Sequence, residues 1–227
     1  MTMQPFEFTV RTKKDLTDAV ERFGFVPLFR NSIPGFSVEE HVSPDVWFTG
    51  EEGVWEWKGP VIRNLHCAYG KFLGNKAVFI SKEWFPDFAN WRRDGYDFDA
   101  RYDDAMAPLR QKKIMDVFES REDCMSFELK ALAGFGPGGE KNYEGTVTAL
   151  QMQTYLVMRD FRCRKNRYGE DYGWPIAVYA PPEKLWGYEA VTACYGEAPE
   201  ASRDRVFARV RELYPQATDR QIRTILR

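Results

Sequence analysis

The stretch that decides the fold starts at Tyr155-Leu156-Val157-Met158. It continues through Arg162-Cys163-Arg164-Lys165-Asn166-Arg167-Tyr168-Gly169-Glu170-Asp171-Tyr172-Gly173 and closes at Ile176-Ala177-Val178-Tyr179. The two ends are short apolar runs rich in β-branched and aromatic residues, the composition of strands. The middle is polar and punctuated by glycine, the composition of a turn. An antiparallel hairpin over residues 155–163 and 173–180 is expected.

Three helical patterns precede it. Pro108 opens the first, which carries Leu109, Ile114, Val117 and Phe118. The second runs from about Asp123 to Ala133, with Phe127, Leu129, Ala131 and Leu132 apolar, and the third from about Asn142 to Thr154. Helix, helix, helix, strand, basic loop, strand is the order of a winged helix-turn-helix, in which the third helix meets the major groove and the hairpin is the wing. At about 100° per residue, Tyr143, Val147 and Leu150 point inward, with Thr146 and Gln153 flanking. Lys141, Glu144, Gly145, Thr148 and Met152 point outward. Lys141 and Thr148, with Arg162, Arg164, Lys165, Arg167 and Tyr168 of the wing, are the expected contacts to double-stranded DNA. The wing is the densest cation cluster in the chain, and Tyr168 and Tyr172 interleave with it, which suits phosphate contact plus stacking. A solvated hairpin tip is the other reading of the same charges.

Outward from this unit, residues 1–105 form an aromatic-rich portion, and 20 of the 35 aromatic residues fall before residue 105. Thr12-Lys13-Lys14-Asp15 is an N-cap signal for a helix with Leu16, Ala19, Val20 and Phe23 on one face, ended by Gly24. Residues 30–60 read as an irregular packed segment. Residues 69–73 and 76–80 read as a hairpin turning at Gly74-Asn75. Ser81 is expected to cap a helix bearing Trp84, Phe85, Phe88 and Trp91, with Pro86 in its first turn. Beyond the wing, helices are expected near 182–194, 200–214 and 218–226. The expected architecture is α+β but mostly α: residues 1–105, then a winged helix with a C-terminal helical extension over 106–227. No flexible linker separates the portions, so one shared core is expected.

Composition narrows the function classes. The net charge is −2, which gives no global positive field, but it is graded: −4 over residues 1–104, −1 over 105–154 and +3 over 155–227. No apolar run approaches the roughly 18 residues of a membrane span, and Met1 to Phe8 has no leader pattern. Cys67, Cys124, Cys163 and Cys194 are scattered singly, and His41 and His66 are too few for a zinc site of the usual kind. A cytoplasmic protein without disulfide, metal or cofactor is expected, with no membrane contact.

Leu150-Gln151-Met152-Gln153 ahead of the strand-and-wing run, Trp55-Glu56-Trp57-Lys58, and Trp84-Phe85-Pro86-Asp87-Phe88 before Trp91-Arg92-Arg93 together resemble the AlkZ-type winged-helix family. The chain is similar to the small proteins grouped as AlkZ-related. The resemblance implies DNA binding and, from DNA glycosylases of that type, binding or excision of alkylated or cross-linked bases. It also implies that a Gln-x-Gln pair positions the attacking water, a role that falls on Gln151 and Gln153. In the family this pair lies near the N-terminal end of the fold, whereas here it ends the third helix. Read from the residues alone, the two are helix-terminal glutamines flanking a core leucine. A winged-helix regulator without chemistry and a protein-interaction module stay open as alternatives.

Other motifs resolve more simply. Gly134-Phe135-Gly136-Pro137-Gly138-Gly139 follows a helix rather than a strand and reads as a helix–helix connection, not a nucleotide loop. Asp94, Asp97, Asp99, Asp103 and Asp104 miss the offsets of a calcium loop and read as a charged connector. Glu83 and Asp87 sit among tryptophans, where a carboxylate can become a proton donor, but ion pairs with Arg92 or Arg93 are expected. His66-Cys67 reads as packing, and Arg220, Arg223 and Arg227 as a charged helix face.

Overall fold

A computed structural model describes residues 8–47 and 53–227. The start of the chain, read above for a leader, and part of the 30–60 segment lie outside the described residues.

The N-terminal helix α1 (Lys13–Phe23) begins at a reciprocal cap. Asp15 N–H donates to Thr12 Oγ1 at 3.2 Å, and the Asp15 carboxylate accepts from Thr12 N–H at 3.0 Å. Leu16, Ala19, Val20 and Phe23 are its buried face, and Gly24 ends it at φ 85°. Then come β1 (Phe25–Pro27), α2 (Val54–Arg63) and the hairpin of β2 (Cys67–Leu73) and β3 (Lys76–Ser81). Gly74 and Asn75, at φ 55° and 61°, make the left-handed two-residue turn that a twisted hairpin needs. The next helix, α3 (Phe85–Arg93), starts later than expected. Ser81 is the last residue of β3, and its hydroxyl accepts from Trp84 N–H at 3.3 Å instead of capping the helix directly. Pro86 does lie in the first turn of α3. A short α4 (Phe98–Asp103) carries the acidic connector.

The second half holds α5 (Leu109–Met115), β4 (Cys124–Met125), α6 (Ser126–Leu132), α7 (Tyr143–Met152), β5 (Val157–Lys165) and β6 (Asp171–Ala180). The expected antiparallel hairpin is present: Val157 pairs with Ala180, Phe161 with Ala177 and Lys165 with Asp171. The helix expected from Asp123 is shorter, because Cys124 and Met125 are spent on pairing with Tyr179 and Val178. The tail forms α8 (Glu183–Trp186), α9 (Tyr188–Val191), α10 (Pro199–Leu213) and α11 (Asp219–Ile225).

The six strands among the described residues join one antiparallel sheet in the order β1-β3-β2-β5-β6-β4. The fold is therefore α+β but not mostly helical. Both hairpins form close to their expected bounds, β1 and β4 add strands that were not expected, and the helix expected near 182–194 is broken at Gly187 into the short α8 and α9. Alternation along β2 sends Ala68 and Phe72 into a cluster with Phe85, Phe88, Val206, Val210 and Ile222, while Cys67 and Tyr69 join Leu16, Val20, Trp57 and Val61 on the other side. The C-terminal helices α10 and α11 thus pack with the N-terminal strands. A third cluster, with Ile114, Phe118, Leu129, Val147, Leu150 and Tyr179, fills the space among α5, α6, α7 and β6. The single bridge Tyr69–Met158 joins β2 to β5.

Candidate nucleic-acid interface

The β5–β6 hairpin carries the basic cluster, and its cations divide by partner. Arg162 donates from both Nη atoms to the Asp123 carboxylate at 3.0 and 2.7 Å, and from Nε to Asp160 at 3.1 Å. The Asp123 hydrogen bonds, reinforced by both negative charges, hold its guanidinium above the ordinary arginine range. Asp160, largely buried, also accepts from Arg63 of α2 at 2.7 Å. Lys165 pairs with Asp171 at 2.9 Å. Arg164 and Arg167 have no carboxylate partner among the described residues. They lie over aromatic rings instead, Arg164 over Phe127 at 4.5 Å and Arg167 over Tyr168 at 4.6 Å. The tip is organised by Asn166, whose Oδ1 accepts from the N–H groups of Tyr168 and Glu170 at 2.8 and 3.1 Å.

On α7 the inward face is as phased: Tyr143, Thr146, Val147 and Leu150 are buried. Lys141 and Glu144 are exposed at its start. The other end of the outward face is half covered by the β2–β3 hairpin. Thr148 Oγ1 accepts from Lys71 Nζ at 3.4 Å, and Met152 Sδ accepts from Asn75 N–H at 3.4 Å. Gln151 is buried, and its Oε1 accepts the Lys71 backbone N–H at 3.0 Å. Gln153 is half-buried, with an Oε1 that has no hydrogen-bond partner among the described residues. Two positions apart on a helix, the pair diverges by about 200°. The helix leaves Gln151 facing β2 and does not bring it together with Gln153.

Two cavities run along the hairpin. The first, about 790 Å³, lies among Phe127, Glu128, Arg162, Arg164 and Tyr172. The second, about 540 Å³, lies among Trp55, Lys58, Pro60, Trp174 and Pro175. Both are lined by Arg63 and Phe161, so they meet there. Trp174 is 84% exposed, Tyr172 49% and Tyr168 70%. Lys58 is buried with Val54, Trp57 and Val61 on the core face of α2. Its Nζ lies 3.0 Å from the centre of the Trp55 ring and 4.4 Å from that of Phe161. No carboxylate or carbonyl pairs with it among the described residues. Burial pushes its amine down to about 8, against an upward pull from Glu56. The Glu56 carboxylate is itself tied back to Gly53 N–H at 3.1 Å. The Trp55–Lys58 block stands out in the sequence for its tryptophans and not for its lysine. The available signal was one lysine in phase with Val54, Trp57 and Val61.

The remaining motifs are structural. Asp87 pairs with Arg205 of α10 at 2.6 Å rather than with Arg92 or Arg93. Arg92 donates to the Leu226 carbonyl at 2.6 Å, and Arg93 to Glu183 at 2.5 Å. His66 bonds Glu21 at 2.7 Å, while burial pushes the Cys67 thiol up to about 12, which removes it as a nucleophile. Among the described residues no cluster of histidine, cysteine and carboxylate could hold a metal ion, and no helix is long and apolar enough to cross a membrane.

A family model described as AlkZ related matches residues 10–227, nearly the whole chain. No curated protein and no solved structure matches it.

Proposed function

The chain belongs to the AlkZ-related family, and from that premise we propose that it is a DNA-binding protein whose contact surface is the β5–β6 hairpin with the cleft along it. The order α5-β4-α6-α7-β5-β6, with strands adjacent as β5-β6-β4, supports reading residues 109–180 as a winged helix. In that reading the turn at residues 166–170 is the wing tip, and α7 offers only its first turn, near Lys141, to a groove. The observation that carries the reading is that one hairpin presents two cations with no carboxylate partner among the described residues, Arg164 over Phe127 and Arg167 over Tyr168, together with the exposed rings of Tyr168, Tyr172 and Trp174. Exposed aromatics beside guanidinium groups give a sequence-tolerant surface for phosphates and bases. An unpaired base turned out of the stack has a place between Trp55 and Trp174, against Phe161.

Fluorescence anisotropy with duplexes that do or do not carry one unpaired base tests this reading. Tighter binding to the unpaired base, lost with Trp174→Ala, is the expected result. Equal, salt-insensitive affinities would sink it. Release of 7-methylguanine from the same duplex, scored as abasic sites, separates an excising enzyme from a reader of modified bases.

A further inference from the structure

We infer that Lys58 is a nucleophilic amine that forms an imine with the ring-opened aldehyde of a base-free deoxyribose held in the cleft between Trp55 and Trp174. The inference rests on the DNA-binding reading and names the substrate class of that same cleft. Three observations carry it.

The first is placement. Lys58 lies on the core side of α2 yet lines the 540 Å³ cavity, so its amine is screened from bulk water but reachable from the cleft. The second is its isolation. Buried lysines are normally paired with a carboxylate. Among the described residues Glu56 is held by Gly53 N–H, and the other charged wall residue, Arg63, is held by Asp160. Burial in this cavity, only partly opposed by the charge of Glu56, makes the amine give up its proton more easily than a solvated lysine, and the free amine is the nucleophile. The third is the surroundings. Arg63 lines the cavity, and Arg164 and Lys165 line the one that meets it at Arg63 and Phe161, where the phosphates adjoining a base-free sugar would lie.

The step balances without a co-reactant. The Nζ lone pair adds to C1′ of the open-chain sugar, and the carbonyl oxygen takes up a proton. The carbinolamine then expels that oxygen as water while nitrogen forms the C=N bond and gives up its remaining proton. One water leaves for each imine formed, and nothing is oxidised or reduced.

Borohydride trapping tests this directly. The full-length protein is incubated with a duplex carrying one abasic site, reduced, and resolved by denaturing electrophoresis and intact mass. The expected product is a one-to-one covalent adduct that peptide mapping places on Lys58, reduced at least tenfold in Lys58→Arg and Lys58→Met. Mapping uses the wild-type chain, so it decides the matter even where a variant fails to fold. An adduct on another lysine, or none while anisotropy shows the abasic duplex bound, overturns the inference and leaves DNA binding standing. If no duplex is bound, the DNA reading falls, and 2-deoxyribose 5-phosphate serves as the aldehyde. A reduced adduct on Lys58 then supports the amine's role, and its absence overturns it.

Discussion

Arg93 holds the backbone of Thr154 in the left-handed region. Thr154 has φ 62°, a conformation costly for a β-branched residue, and it joins α7 to β5. The fully buried Arg93 donates from Nη2 to the Thr154 carbonyl at 2.8 Å and from Nε to its hydroxyl at 3.2 Å. Its Nη1 reaches Glu183 at 2.5 Å and Tyr195 at 3.2 Å. One side chain of α3 therefore fixes both the start of the hairpin and the entry to the C-terminal helices. Arg93→Met should lower unfolding free energy by about 3–5 kcal/mol, the range for breaking a buried pair from one side. Arg93→Lys should recover less than half, because one ammonium cannot serve these four acceptors in fork geometry. Urea denaturation checks both values. A loss under about 1 kcal/mol for the methionine variant would mean that the hub is not carrying the junction.

How far the sequence could be read follows from what each element depends on. The caps and turns are local, so Thr12 with Asp15, Gly74-Asn75 and the polar 166–170 tip were legible from neighbours in the chain. β4 was not, because a two-residue strand has no periodicity and exists only through Tyr179 and Val178. Helix phase placed Val147 and Leu150 correctly but left Gln151 at the flank, since phase cannot say which flank a distant strand will cover. Ion pairs guessed from helical spacing failed at Asp87, whose partner Arg205 comes from α10. The burial of Lys58 is not legible in the sequence, because a lysine in a buried phase usually snorkels to water, and here the cover comes from Trp55 and Phe161.

The two glutamines of α7 should separate under substitution. Gln151→Ala strips Lys71 N–H of its acceptor in a buried setting, a loss of about 1–3 kcal/mol. Gln153→Ala removes a carbonyl oxygen with no partner among the described residues and should cost little or be neutral. Chemical denaturation of the two variants checks this, and duplex affinity measured on the folded fraction should stay unchanged in both. A drop in affinity with unchanged stability would return Gln151 to the binding surface.

Lys58 should set a pH dependence that its replacement removes. Its amine titrates near 8 in the fold and at 10.5 when free, so the unfolded chain binds the extra proton between those values. Above about 10.5 the amine is neutral in both states. As pH falls toward 8 the folded state loses stability, and below 8 the loss is complete, at most about 3 kcal/mol. Glu56 and Arg63, the other charged groups that line its cavity among the described residues, are both retained in Lys58→Met. The stability difference between Lys58→Met and wild type should therefore be flat from pH 6 to 8 and shrink toward pH 10. The raised tyrosines of the core, Tyr69 and Tyr214 among them, titrate alike in both chains and cancel. Parallel curves up to pH 10 would show an ordinary, solvated lysine.

The hairpin cations should contribute to DNA binding according to their partners and not by their number. Each phosphate neutralised releases counterions and contributes about 0.9 to the slope of log affinity against log salt. Arg164 and Arg167 have only aromatic partners and can turn to phosphate without breaking an ion pair, so replacing both with Ala should flatten the slope by about 1.8. Lys165 must first release Asp171, which is exposed and only weakly bound, and its replacement should remove less than one phosphate's worth. Arg162 differs again. Its fork is filled by Asp123 and its Nε by Asp160, so Arg162→Ala should leave the slope within about 0.3 of wild type while leaving Asp123 and Asp160 short of a donor. That change should show as a stability loss of about 1–3 kcal/mol. Anisotropy titrations at several salt concentrations, paired with denaturation of each variant, give both quantities. A slope that falls equally for Arg162→Ala and Arg164→Ala would mean that the Asp123 pair opens on DNA and that the whole strand, not the tip, meets the backbone.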